Sequence, residues 1–239
     1  VNENKLYYDF VPLFIKTWNK LYPNVDVKII LIADKISEEY QKYTDNLILF
    51  KPIENVSTNF ISQYIRLLYP CLLDYTGGVM ITDIDNIPMN RTYFTENIKN
   101  ISDDKWINLR DWKTRNEICM MWQISTPKNW REVFGINNLD DINERIITVY
   151  KSINYVDGHG TSGWSTDQLD LFKYVKKWNE KTKNYIFLND KDTKFCRLDR
   201  SGGNGDYEKI IQTGRYSDYH CLRPMSKYNE INERIYNLL

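Results

Sequence analysis

Apolar positions along this chain fall into two patterns, stripes of helical period and short unbroken runs. Over 9–21, Phe10, Leu13, Phe14, Thr17, Trp18 and Leu21 recur at helical spacing and predict an amphipathic helix, ended by Tyr22-Pro23-Asn24. The apolar run at 27–32 predicts a strand buried on both faces, as parallel strands are. A short helix over 37–43 and a second strand over 46–50 follow. The alternation of strand and helix predicts a doubly wound α/β sheet. Phe60, Tyr64, Leu67, Leu68 and Leu72 make the next stripe, on a helix over 59–75 that Gly77-Gly78 stops.

The stretch that organises the chain comes next, Val79-Met80-Ile81-Thr82-Asp83-Ile84-Asp85-Asn86-Ile87-Pro88. Strand-forming residues lead into two carboxylates spaced i, i+2. A strand running through them would point Asp83 and Asp85 to the same face. Pro88 cannot donate to a ladder and should end it. Ligands of open parallel sheets bind at the carboxyl ends of strands. Two acids clustered there call for a cation, and a hard divalent ion takes carboxylates together with substrate phosphates.

Farther along, a surface helix is expected over 91–99, strands over 106–110 and 117–125, and helices over 129–134 and 140–150. The polar loop 111–116 between those strands is a candidate wall of a sugar pocket or a plain hairpin connection. Asp157-Gly158-His159-Gly160-Thr161-Ser162-Gly163 is glycine-dense but lacks the Gly-Lys-Ser/Thr ending of a phosphate-binding loop, and reads as a mobile loop over a site. A helix follows Trp164-Ser165-Thr166, with Ser165 or Thr166 as candidate cap and Asp167 in its first turn. The segment 181–194 is charged and reads as loop, 201–206 as a flexible glycine-rich loop, and 229–239 as a closing helix.

Taken in order, Ser62-Gln63-Tyr64-Ile65-Arg66-Leu67-Leu68-Tyr69-Pro70, the Asp-x-Asp stretch, Gly163-Trp164-Ser165-Thr166-Asp167-Gln168, Arg197-Leu198-Asp199-Arg200 and Asp218-Tyr219-His220-Cys221-Leu222-Arg223-Pro224 span most of the chain. That ordered set resembles the GT-A family of nucleotide-sugar glycosyltransferases, and within it the small DxD-type enzymes of bacteria and large DNA viruses. The resemblance implies a single GT-A (Rossmann-like) catalytic domain over 1–239, its central sheet mostly parallel and flanked by helices. It implies a UDP-sugar donor and a glycan acceptor, with Mn2+ or Mg2+ held by Asp83, Asp85 and His220. Imidazole beside carboxylates suits manganese better than calcium. Asn2, Arg66, Asp83, Asp85 and Arg223 would contact the donor. Planar guanidinium forks suit diphosphate oxygens. Trp164, Gln168, His159 and Asp167 would meet the acceptor, with Asp167 orienting its hydroxyl or taking its proton. Asp199 and Arg200 belong to the same pattern and read as a scaffold ion pair. The resemblance decides neither the sugar nor the anomeric outcome.

Composition narrows these readings. The 239 residues suffice for one well-buried domain, and the formal net charge is +0, so nothing favours nucleic acid as a partner. No apolar run approaches a membrane span. Cys71, Cys119, Cys196 and Cys221 form no CxxC pair, which points to reduced thiols and a cytoplasmic setting. Two other readings compete. A haloacid-dehalogenase-like phosphohydrolase also carries Asp-x-Asp after a strand, although near the chain start and before small residues. A non-catalytic carbohydrate-binding module would use the 18 Tyr and 7 Trp but has no need of two acids and a histidine.

Overall fold

Nine strands organise the described residues: β1 Ile29–Ile32, β2 Leu47–Phe50, β3 Val79–Ile81, β4 Asn86–Pro88, β5 Trp106–Leu109, β6 Gln123–Ser125, β7 Tyr185–Leu188, β8 Cys196–Leu198 and β9 Tyr216–His220. The computed structural model describes residues 1–110, 116–200 and 205–239. Contacts divide the chain into two compact units. The first comprises Val1–Phe50, Asp83–Asn100 and Asp190–Leu239, and the second Lys51–Thr82 and Ile101–Asn189.

In the first unit β1 and β2 pair in parallel, with Ile29 opposite Leu47. Asn2 adds a parallel bridge to Ile32, and the Val1 ammonium donates to the Ile30 carbonyl at 2.7 Å. The Val11–Leu21 helix buries Leu13, Phe14, Trp18 and Leu21, the stripe its spacing predicts. Trp18 and Tyr22 close on Phe94, with ring centroids 5.2 Å and 5.8 Å away. A three-stranded sheet in the order β4-β9-β8 completes the unit, antiparallel between β4 and β9 and parallel between β8 and β9. The Met225–Leu238 helix is tied down by buried Asn232, which accepts from the Tyr219 hydroxyl at 3.0 Å and donates to the Leu222 carbonyl at 2.9 Å.

The second unit is built on a sheet in the order β3-β6-β5-β7. Only β5 and β7 run parallel there, because β6 enters antiparallel between β3 and β5. Polar side chains along this sheet are linked in a chain of hydrogen bonds, which offsets the cost of burying them. Trp106 Nε1 donates to Gln123 Oε1 at 3.0 Å, Gln123 Nε2 to Asn108 Oδ1 at 2.8 Å, and Asn108 Nδ2 to the Tyr185 hydroxyl at 2.8 Å. Trp106 also packs on Trp130, ring centroids 4.3 Å apart, and Trp130 stacks on Phe134.

Several expectations are corrected here. The two larger sheets are mixed, not mostly parallel. The long strand expected over 79–88 is two strands, broken by a turn. The strand expected over 117–125 is confined to Gln123–Ser125, and the helix over 91–99 to Tyr93–Glu96. The segment read as loop over 181–194 contains β7 and a short Asp190–Thr193 helix. β7 is a half-buried edge strand, so it lacks the alternation that marks a strand buried on one face. No helix among the described residues is long and apolar enough to cross a membrane. All four cysteines are free thiols, Cys71 and Cys221 buried.

Two substitutions test this packing. Gly135 ends the Pro127–Phe134 helix at φ +66°, with open space where a Cβ would stand. Gly135→Ala should therefore cost about 1 kcal/mol of unfolding free energy, from backbone strain alone. Leu67, wholly buried on the Thr58–Leu68 helix, should cost ~2–5 kcal/mol as Leu67→Ala. Denaturant unfolding measures both.

Candidate donor and acceptor sites

The break between β3 and β4 decides where the two acids go. The Asn86 amide donates to the Asp83 carbonyl at 3.2 Å and closes a turn, so Asp83 and Asp85 do not lie on one strand face. Asp83 is half-buried, whereas Asp85 is 3% exposed. The Asp85 carbonyl accepts from the Cys221 amide at 2.8 Å, which ties the turn to the end of β9. Its carboxylate Oδ2 then meets three side chains: Arg200 Nη2 at 2.9 Å, His220 Nε2 at 3.5 Å and Arg223 Nη1 at 3.5 Å.

His220 is held from its other side. β8 and β9 pair with Leu198 opposite Tyr219, and Asp199 comes next, with its Oδ1 3.1 Å from His220 Nδ1. The Arg200 backbone amide fixes the same Oδ1 at 2.8 Å. Burial pushes the His220 pKa below the ordinary histidine value, against the opposing pull of Asp85. The ring is therefore neutral near pH 7, with Nδ1–H donating to Asp199 and the Nε2 lone pair facing the Arg200 Nη2 that touches it. Burial raises the Asp199 pKa, but the Arg200 amide and His220 outweigh it and leave it below the usual carboxylate range. Arg223 donates to the Tyr7 hydroxyl and lies over its ring, 4.9 Å from the centroid. Behind this layer Arg197 pairs with buried Asp218 at 3.3 Å and donates to Asn86 Oδ1.

Among the described residues no three His, Cys, Asp or Glu side chains stand together as a metal cage. Asp83, expected beside Asp85 and His220, is half-buried in the turn before β4. The remaining pair nevertheless suits a divalent ion. Ligands ~2.1 Å from one metal stand ~3.0–3.4 Å apart, close to the 3.5 Å between Asp85 Oδ2 and His220 Nε2. A carboxylate on the far ring nitrogen is the support metal-binding histidines have. An ion taking its other ligands from phosphates needs only one or two protein carboxylates.

A second cluster lies within the second unit. Asp167, wholly buried in the first turn of the Thr166–Thr182 helix, pairs with Arg66 Nη2 at 2.6 Å. It also accepts from Gln63 Nε2 at 3.3 Å and from the Gln168 amide at 2.9 Å. Gln63 further donates to the Trp164 carbonyl. Gln63 and Arg66 share a face of the Thr58–Leu68 helix, and Arg66 Nε returns to the Gln63 carbonyl at 3.0 Å. His159 and Trp164 set their rings side by side, centroids 5.0 Å apart. The Ser165 side chain makes no cap, and Thr166 donates instead to the Gly163 carbonyl at 2.7 Å. Asn2, expected at the donor, is buried at the edge of β1. Residues 111–115 and 201–204 of the two expected loops lie outside the described residues.

No family model and no curated protein matches this sequence. Solved structures do. A galactosyltransferase LgtC in complex with donor and acceptor sugar analogs matches all of this chain and 92% of its own, at 14% identity and a TM-score of 0.50. An active-site mutant of LgtC matches over the same shares at 13% identity and a TM-score of 0.53. The chain has the fold of a glycosyltransferase. At that identity the likeness concerns the GT-A fold alone.

To Asp85, His220 and Arg223, which the ordered motifs point to, the structure adds Asp199, Arg200 and Tyr7. The signal for Asp199 was its position at the end of a strand, usable only once the β8–β9 register is known.

Two predictions follow from the charges. Arg66→Ala leaves Asp167 buried without its cation and should cost ~3–5 kcal/mol, whereas Arg66→Met combined with Asp167→Leu should recover most of that loss. Thermal and denaturant unfolding measure it. For His220, the unfolded chain protonates first as pH falls through ~6.5. Its contribution to stability should therefore decline below that pH and level off beneath the folded pKa. Proton NMR titration of the His220 ring should give a midpoint under 6.5; a midpoint at or above the ordinary value would contradict the neutral assignment.

Proposed function

We propose that this protein is a metal-dependent glycosyltransferase that moves a hexose-type sugar from a UDP-sugar to a glycan hydroxyl. The observation that carries the reading is the Asp85–His220 pair, with Asp199 fixing the ring behind it and Arg223 beside it. A bound Mn2+ or Mg2+ would supply Lewis-acid neutralisation of the leaving diphosphate.

The chain's own residues do the rest. Asp85 and His220 would hold the cation, with the Asp85 carboxylate and the His220 imidazole as its protein donors. Arg223, steadied by Tyr7, presents fixed positive charge where negative charge builds as the sugar–diphosphate bond breaks. Asn2 and Asp83 are assigned to the nucleoside side of the donor. In the second unit, Trp164 and His159 offer adjoining rings for a sugar face, and Gln168 a polar contact for the acceptor. Asp167 has no exposed surface and its oxygens already receive Arg66, Gln63 and Gln168. It is better suited to positioning Arg66 and Gln63 than to taking a proton itself. Arg66 keeps part of its side chain exposed and is assigned to the donor from that anchored position.

Release of UDP from a panel of UDP-sugars, with Mn2+ and a mixture of glycan acceptors, tests the reading. At least one sugar should turn over, and His220→Ala should slow it by about a hundredfold or more. Release of phosphate from a generic phosphoester, with no UDP-sugar consumed, would favour the phosphohydrolase instead.

A further inference from the structure

The residue that faces both proposed cation ligands is itself a cation. Arg200 Nη2 donates to Asp85 Oδ2 at 2.9 Å and lies against His220 Nε2, so one nitrogen spans the two atoms that would bind metal. A divalent ion cannot share those atoms with it, since the lone pair of Nε2 serves one acceptor role and like charges at that range repel. The guanidinium is also incompletely satisfied where it sits, because its buried Nε has no hydrogen-bond partner among the described residues. A guanidinium stays charged throughout, so on leaving Asp85 it needs another anion. The anion that arrives with the metal is the diphosphate of the donor.

Building on the metal-dependent reading above, we propose that Arg200 is an exchangeable occupant of the cation site and a diphosphate-binding residue. It pairs with Asp85 and His220, and on binding yields them to the metal while turning its donors to the diphosphate. Metal and nucleotide then bind synergistically, since each removes an obstacle to the other.

Mn2+ binding, read by loss of the free-ion signal in electron paramagnetic resonance and by calorimetry, tests this with and without UDP. The wild type should bind Mn2+ weakly alone and about ten- to a hundredfold more tightly with UDP, a coupling of ordinary size. Arg200→Ala should bind Mn2+ alone about tenfold more tightly than wild type and lose most of the enhancement by UDP. Arg200→Gln, which keeps a polar side chain of similar length, should follow it and guards against a folding defect in the alanine variant. Unchanged Mn2+ affinity in both variants, with binding still lost in His220→Ala, would overturn the exchange and leave the metal site standing. Absence of Mn2+ binding in every form, with and without UDP, would overturn both.

Discussion

The buried carboxylate of Asp85 gathers the ends of β8 and β9 in the first unit. Asp85 is almost without solvent, and a carboxylate so placed must be matched by donors. It is matched by Arg200, Arg223 and His220, drawn from the ends of β8 and β9 and the segment after β9. The Cys221 amide on the Asp85 carbonyl fixes the turn that presents it. Remove the carboxylate and two guanidinium groups lose a shared partner. The chemistry proposed for the site therefore uses groups that the fold needs anyway.

The same logic runs through the second unit at Asp167, with a different outcome. There the carboxylate is wholly enclosed and its contacts come from neighbouring elements of one unit, Arg66 and Gln63 on one helix and Gln168 beside it. Asp85 meets side chains from the ends of β8 and β9 and the segment after β9, whereas Asp167 meets the Gln168 backbone amide, Gln63 and an Arg66 folded back onto its own helix.

Much of this was legible in the sequence. The Val11–Leu21 and Thr58–Leu68 helices, the parallel pair β1 and β2, and the gathering of Asp85, His220 and Arg223 all came from spacing or from the order of recognised segments. The remainder depended on pairing, which one sequence does not carry. The apolar run at 79–81 and the short Asn86–Pro88 strand look continuous in sequence, yet pair with different sheets, so the turn between them was invisible. β7 was hidden among charged residues because an edge strand needs little burial. Asp199 and Arg200 looked like an ordinary ion pair because their partners are Asp85 and His220, far away along the chain.

Calorimetric titration of UDP tests the central claim most directly, that Asp85 and His220 form the metal-bearing donor site. It would be run with Mn2+ and then with chelator, on wild type and on Asp85→Asn, which keeps the side chain's shape. The account predicts UDP binding that needs Mn2+ and that the substitution abolishes. UDP binding of equal strength with chelator and in Asp85→Asn would contradict it.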